Sequence, residues 1–372
     1  MPINMLNFFK SNLDISIALI LAVISTFVVS FDIHALVEAL NLKVLLLLFC
    51  LMIVIASARI FGLLDYVYKK CFVYVKNTRQ LCTAFIFLNF FISMIVTNDV
   101  SLIIFVPLAI SVLTKIKRED LIIKVVCLQT IAANMGSTLT PIGNPQNLFI
   151  YTYFNYNLQD FLKVTAPICL VCFVMLYLFT LNIDKGVIDC KNEEQKLDKK
   201  SNFTVGILFL LCILAVLSFI NVYLLTLIVV LSIALLNLKL FKEVDYKLLL
   251  LFVLLFIFVG NISRVEFIVA RAELFVKTYE YFVSVSLSQI ISNVPTTLML
   301  SSFCAHPDKL LVGVNVGGLG TIIASMASLI SFKAYVKVPS AKPLYYLKKF
   351  TKYNLHFLLV LVVMHFLLPN IF

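Results

Sequence analysis

Apolar stretches long enough to cross a bilayer recur along almost the whole chain, and they restrict its fold more than any other feature. The first runs from Leu13 to Phe31. Others occupy about 43–63, 164–182, 203–220, 223–239, 247–262 and 354–371. A helix of about 20 such residues spans the hydrocarbon core, and in lipid every backbone group must be bonded within the protein. Among the 372 residues 62% are hydrophobic and 13% charged, against about half and a quarter in soluble domains. The sequence therefore predicts an all-α polytopic membrane protein. The net charge of +11 sits mostly in short loops between the apolar runs, where cytoplasmic Lys and Arg collect, so no nucleic-acid partner is expected. Leu13–Phe31 is too long for a signal-peptide core and lacks a small-residue cleavage site, so it reads as a retained span. Nine cysteines form no disulfide framework. Cys169 and Cys172 follow Pro167 in an apolar run and read as one helical face. The four histidines are scattered without ligand spacing.

Inside one apolar region lies a polar stretch, Ala132 to Leu148, carrying Gly136, Pro141, Gly143 and Pro145 among amides and hydroxyls. Proline removes a backbone donor and glycine weakens a helix, so the helix over 120–151 is expected to break here. Broken backbone at membrane depth is tolerated only where protein buries it or a watery cavity faces it, and it points to a transporter binding site. A relative of the stretch recurs over 310–332. There Asn134 aligns with Asn315, Gly136 with Gly317, Thr140 with Thr321, Asn144 with Ser325, and Asn147 with Ser328. Two further apolar stretches are split by short polar tips: 80–114 at Thr97-Asn98-Asp99 and 280–304 at Ser292-Asn293-Val294-Pro295. Each half of 80–114 reads as short for a crossing, so both stretches are expected to be re-entrant hairpins.

The layout is then a repeat over 13–182, a hydrophilic cytoplasmic linker over 183–202, an extra connecting span over 203–222 and a second repeat over 223–371. Basic residues flank the first hairpin on both sides: Lys69, Lys70, Lys76 and Arg79 before, Lys115, Lys117, Arg118 and Lys124 after. Both flanks read as cytoplasmic, which puts the N-terminus inside, the C-terminus outside and the two repeats in opposite orientation. Asp65–Arg79 reads as an interfacial helix, and the Tyr66, Tyr68, Tyr74, Tyr345 and Tyr346 clusters as interfacial anchors. Arg59 reads as a snorkelling side chain.

Candidate ligand groups are the side chains of Thr97, Asn98, Asn134, Ser137, Thr140, Asn144, Asn147, Ser292, Asn293, Asn315, Thr321 and Ser325. Gly136, Gly143, Gly317 and Gly318 allow backbone to approach a ligand closely, and Val294 completes the second tip. Asp99 is the sharpest single residue, because a carboxylate in an apolar stretch is costly and marks a proton or cation site; its structural alternative is a helix N-cap. No resident cofactor or structural metal is expected, only sodium or a proton as coupling ion. An enzyme is not expected, since no His or second acid stands in these stretches to share acid–base work. No GxxxxGK[ST] loop is present to bind a nucleotide.

These stretches resemble the ion transporter superfamily. Thr97-Asn98-Asp99-Val100, the run Ala133–Asn147, Ser288-Gln289-Ile290-Ile291-Ser292-Asn293-Val294-Pro295 and the run Gly313–Ser328 carry the resemblance. It is nearest to citrate-transporter-like permeases, arsenite-pump-like membrane proteins and divalent anion–sodium symporters. The resemblance implies a scaffold that often dimerises and a mobile unit of hairpins and broken helices. It also implies elevator-like transport across the cell (inner) membrane of a small anion, or a metalloid. In the dicarboxylate symporters both tips read Ser-Asn-Thr. Here they read Thr-Asn-Asp and Ser-Asn-Val, which is more similar to the arsenite-pump and sodium/proton-antiporter side. Asn144-Pro145-Gln146-Asn147 resembles the anion-permease break.

Overall fold

The computed structural model describes residues 13–29, 40–63, 75–186 and 199–367. Their regular structure is helical. In chain order the helices are α1 (Leu13–Val28), α2 (Leu42–Ile60), α3 (Thr78–Val96), α4 (Asn98–Lys115), α5 (Ile122–Ser137), α6 (Pro145–Tyr153), α7 (Leu158–Leu181) and α8 (Lys199–Val216). They continue with α9 (Val222–Leu236), α10 (Tyr246–Ile262), α11 (Glu266–Ile291), α12 (Asn293–Ser301), α13 (Pro307–Gly317), α14 (Met326–Val336) and α15 (Pro343–Leu367). Five of these, α2, α3, α4, α7 and α15, are long and apolar enough to cross a membrane. The chain is a multi-pass membrane protein.

Asn and Asp residues set where the apolar segments become helix. Asn41, Asn77, Asn144, Asn157, Asn221 and Asp245 each accept a hydrogen bond from a backbone N–H of the first turn they precede. Each satisfies a donor that the helix itself leaves unpaired, a contribution of about 1 kcal/mol.

The helices bury three apolar clusters. One joins α1, α2, α8, α9 and α10 through residues such as Leu47, Ile53, Leu208, Val229 and Phe252, with Phe149 of α6 and Leu298 of α12 against its flank. The second packs α3, α4 and α5 against α14 and α15 around Phe85, Phe105, Val125 and Tyr346. The third joins α3, α5, α7, α11, α13 and α15 around Leu128, Cys172, Tyr281, Val316 and Phe357.

Several expectations change. The limbs of the first hairpin have 19 and 18 residues, about 28 Å each at 1.5 Å per residue, close to the hydrocarbon thickness. Shortness therefore does not argue for re-entry of this hairpin. The limbs gain length because Asn77 caps α3 earlier than the apolar pattern begins, and because the corner is Thr97 alone, with Asn98 and Asp99 already helical. The second hairpin is unequal: α11 has 26 residues with a break in helical geometry at Tyr279, and α12 has nine. At about 13 Å, α12 is too short to cross.

Arg59 does not simply snorkel; its guanidinium pairs with Glu243 at 2.7 Å. Tyr346 is no interfacial anchor, because it is fully buried and stacks on Tyr335 and Phe350; Tyr345 beside it is exposed. α15 starts at Pro343, well before the expected 354, and α8 starts inside the expected linker. Cys169 and Cys172 are buried and unpaired on α7. Residues 64–74 and 187–198, which hold most of the expected interfacial helix and linker, lie outside the described residues.

Candidate binding site at two corners and two helix breaks

The four polar elements meet at one place. Each hairpin turns on a single non-glycine residue at positive φ: Thr97 at φ +81° and Ser292 at φ +75°. Such geometry costs about 1–3 kcal/mol and persists only where the surroundings enforce it. Here the next N–H enforces it. Asn98 N donates to Gly143 O at 3.0 Å, and Asn293 N donates to Ala324 O at 2.9 Å. Gly143 and Ala324 are equivalent positions, each just before the residue that starts the second half of a broken helix.

Three more contacts repeat in the same register. Thr140 Oγ1 donates to Met94 O, and Thr321 Oγ1 to Gln289 O, both three residues before the corner. A Cβ at Gly136 would lie 2.7 Å from Ser93 Oγ, and one at Gly317 would lie 2.8 Å from Ser288 Oγ, each four residues before its corner. Only glycine lets each break lie directly on its hairpin. The third contact is reciprocal. Asn134 Oδ1 accepts from Ser325 Oγ at 3.1 Å, and Asn315 Oδ1 accepts from Asn144 Nδ2 at 3.2 Å. Each break is thus joined to the start of the other's second half-helix.

Side chains around this frame are buried and mostly paired. Asn134 Oδ1 also accepts from Asn98 Nδ2 at 3.0 Å, and its own amide reaches toward Gly318 O at 3.4 Å. Asn315 Nδ2 donates to Asn147 Oδ1 at 2.7 Å, and Thr138 Oγ1 donates to Asn315 Oδ1 at 3.1 Å. Asn147 Nδ2 faces the carbonyls of Ser137, Thr138 and Thr140 at 3.0–3.2 Å. Ser137 Oγ accepts from Asn144 Nδ2. In the second break the equivalent work falls to Gln289, whose amide faces Gly317 O and Leu319 O at 2.7 and 2.9 Å while its Oε1 accepts from Thr321 N.

Asp99 is not the N-cap of α4. That position belongs to Thr97, which makes no capping bond, and Asp99 N is taken by Asn98 Oδ1. The Asp99 Oδ1 atom is buried and has no hydrogen-bond partner among the described residues. A buried carboxylate oxygen left unpaired is costly, and it sets Asp99 apart from the paired amides and hydroxyls around it.

The structure brings all the residues anticipated from sequence into this one region, with differing roles. Asn98, Asn134, Ser137, Thr140, Asn144, Asn147, Asn315, Thr321 and Ser325 bind one another or the freed backbone. Gly143 and Gly318 contribute carbonyls, and Gly136 and Gly317 contribute closeness. Thr97 and Ser292 are the corners. Val294 is buried among apolar side chains and offers no polar group. The Asn293 amide bonds to no described side chain, and its Nδ2 lies against Gly318. Gln289 and Thr138 escaped the sequence reading. Gln289 is a lone amide one helical turn before a tip, a signal weaker than a Gly/Pro break.

Four helix N-termini (α4, α6, α12 and α14) and four C-termini (α3, α5, α11 and α13) end at this network. The first carry partial positive charge and suit an anion; the second, with freed carbonyls, suit a cation. Residues 12–330 match the family model described as citrate transporter. The chain belongs to the citrate transporter family. It is 35% identical over 300 residues to an uncharacterized transporter of Methanocaldococcus jannaschii, covering 78% of this chain and 80% of that one. It is 30% identical over 291 residues to the inner membrane protein YbiR of Escherichia coli, covering 76% and 77%. Membership in the family makes this chain a membrane transporter, and the matched region contains both corners and the whole of both breaks except the end of α14.

Proposed function

We propose that the chain is a secondary active transporter that moves a small anion, a carboxylate or an oxyanion, in exchange with or alongside sodium or protons. The observation that carries this reading is the reciprocal join of the two breaks, Asn134 with Ser325 and Asn315 with Asn144. It makes one site from two equivalent elements, as an inverted-repeat transporter requires. The helix N-termini would hold the anion. The unpaired oxygen of Asp99 would take the coupling cation or proton. The bundle of α1, α2, α8, α9 and α10 would serve as the scaffold against which the hairpins and broken helices move, in a cell (inner) membrane with the basic loops inside.

Asp99 also favours a second reading within transport: sodium/proton antiport or arsenite efflux, in which the cation or a neutral hydroxide takes the place of the anion. Proteoliposome uptake separates the two. Citrate, succinate, sulfate, phosphate, arsenite and sodium are offered under imposed pH and sodium gradients. Saturable uptake or counterflow of a carboxylate or oxyanion is the expected result. Sodium-for-proton exchange with no anion moved would replace it with the second reading. Asp99→Asn is expected to abolish the dependence of transport on the driving gradient; unchanged pH and sodium dependence would remove Asp99 from the coupling role.

A further inference from the structure

A cavity of about 520 Å³ lies between the flank of the five-helix bundle and the far ends of α6 and α12. Both of these half-helices start in the polar network, at Pro145 and Asn293, and both have nine residues. Both also end at the cavity, with Phe149 and Tyr153 on α6 and Leu298 and Ser301 on α12. Nine residues advance roughly 13 Å, so the cavity stands about that far from the network along two helices at once. Its remaining wall is the start of α2, the start of α9 and the end of α10.

Only one charged side chain lines this space among the described residues: Lys43, in the first turn of α2. Lys43 forms no ion pair with a described residue, whereas Arg59 at the other end of the same helix is paired with Glu243. The cation therefore faces an aromatic and hydroxyl-lined space beside the first turn of a helix, where the partial charge of the backbone has the same sign. The cavity also lies at the end of α2 away from the basic loop 237–247, which the charge rule places inside. Walls from the bundle and from α6 and α12 mean that any displacement of those half-helices changes the cavity's shape.

We propose that this cavity is the outer vestibule of the transport route and that Lys43 is its anion-selecting residue. Lys43 collects a small carboxylate or oxyanion from outside by the attraction of its charge. The inference rests on the anion-transport reading above and names the residue that would make entry selective. A unit charge about 4 Å away in water-like surroundings changes occupancy about five-fold, and more where the walls exclude water.

The test uses the full chain in oriented vesicles with radiolabelled citrate, succinate and phosphate, entry being measured separately from each face. Lys43→Gln is expected to raise KM for entry from the cavity face about five-fold, while kcat and the KM from the opposite face stay within about two-fold. Lys43→Arg is expected to restore the lower KM. In the wild type, raising ionic strength is expected to raise the cavity-face KM, and this dependence is expected to vanish in Lys43→Gln. The wild-type salt dependence needs no altered protein, so a poorly folded variant does not block the test. Saturable anion uptake with an unchanged KM in Lys43→Gln, or with equal changes at both faces, overturns the vestibule and leaves the transporter reading standing. Absence of uptake of every anion by the wild type overturns that reading and this inference together.

Discussion

In the first break, the carbonyls of Ser137, Thr138 and Thr140 are met by one amide, that of Asn147, from the half-helix that follows. In the second, the carbonyls of Gly317 and Leu319 are met by Gln289, from the hairpin. The equivalent positions are empty of such groups: Ser328 stands where Asn147 would be, its Oγ without a partner among the described residues, and Met94 stands where Gln289 would be. A freed backbone carbonyl in an apolar interior must be bonded, but the bond can come from either neighbour. The consequence is mechanical. The first break is tied chiefly to itself, and the second is stitched to its own hairpin.

The bases of the two hairpins differ in a similar way. Arg118, just past α4, pairs with Asp184 and Asp120 on the surface. On the second hairpin, the buried carboxylate of Glu280 accepts from the backbone N–H groups of Ala305 and His306 at the start of α13.

The frame shared by both breaks gives the largest expected effect. Asn315→Ala takes one buried partner each from Thr138, Asn144 and Asn147 and should destabilise the protein by about 3 kcal/mol or more, abolishing transport. Ser325→Ala, which removes one bond to Asn134, should cost about 1 kcal/mol. Thermal unfolding in detergent reads both; equal losses would mean that the reciprocal join does not hold the site together.

The difference between the breaks is tested by exchanging their equivalent side chains. Gln289→Met should cost about 2–3 kcal/mol, because it strands two carbonyls and the Thr321 N–H. Met94→Gln should change stability by less than about 1 kcal/mol, because Asn147 already serves the first break. Equal sensitivity at the two positions would erase the asymmetry.

The smallest effect is at the exposed base. Hydrogen bonds from Arg118 hold the Asp184 carboxyl down at about 2. A lowered carboxylate pKa contributes stability above the ordinary value near 4, and that contribution is lost as pH falls from about 4 toward 2. Asp184→Asn should therefore flatten the acid limb of a stability–pH curve in that window, with slightly lower stability at neutral pH and none lost below about pH 2. An acid limb of unaltered slope would show that the Arg118 pair has no energetic weight.

Much of the site was legible in the residues because breaking a membrane helix needs unusual chemistry. Gly136, Pro141, Gly143 and Pro145 cannot belong to a continuous apolar helix, and their relation to Gly317–Ser325 shows at a fixed spacing. The helix starts were less legible. Asn77 capped α3 before the apolar pattern began, and a single residue, Thr97, proved enough to turn the chain. A corner at positive φ leaves no mark when the residue there is threonine or serine rather than glycine.

By itself the sequence determined that this chain is helical, that it spans a membrane many times and that two of its helices break in matched places. Hydrophobic length and the scarcity of Gly, Pro and amides in apolar runs are local properties, readable residue by residue. Only the tertiary structure decided which groups satisfy the breaks. Asn147 and Gln289 are both long amides within reach of stranded carbonyls. Which of them reaches depends on the packing of hairpin on break, where Gly136 meets Phe90 and Gly317 meets Ser288. The same packing placed Lys43 in a cavity at the far ends of α6 and α12, because a bond or a cavity between residues far apart in the chain exists only once the helices are assembled.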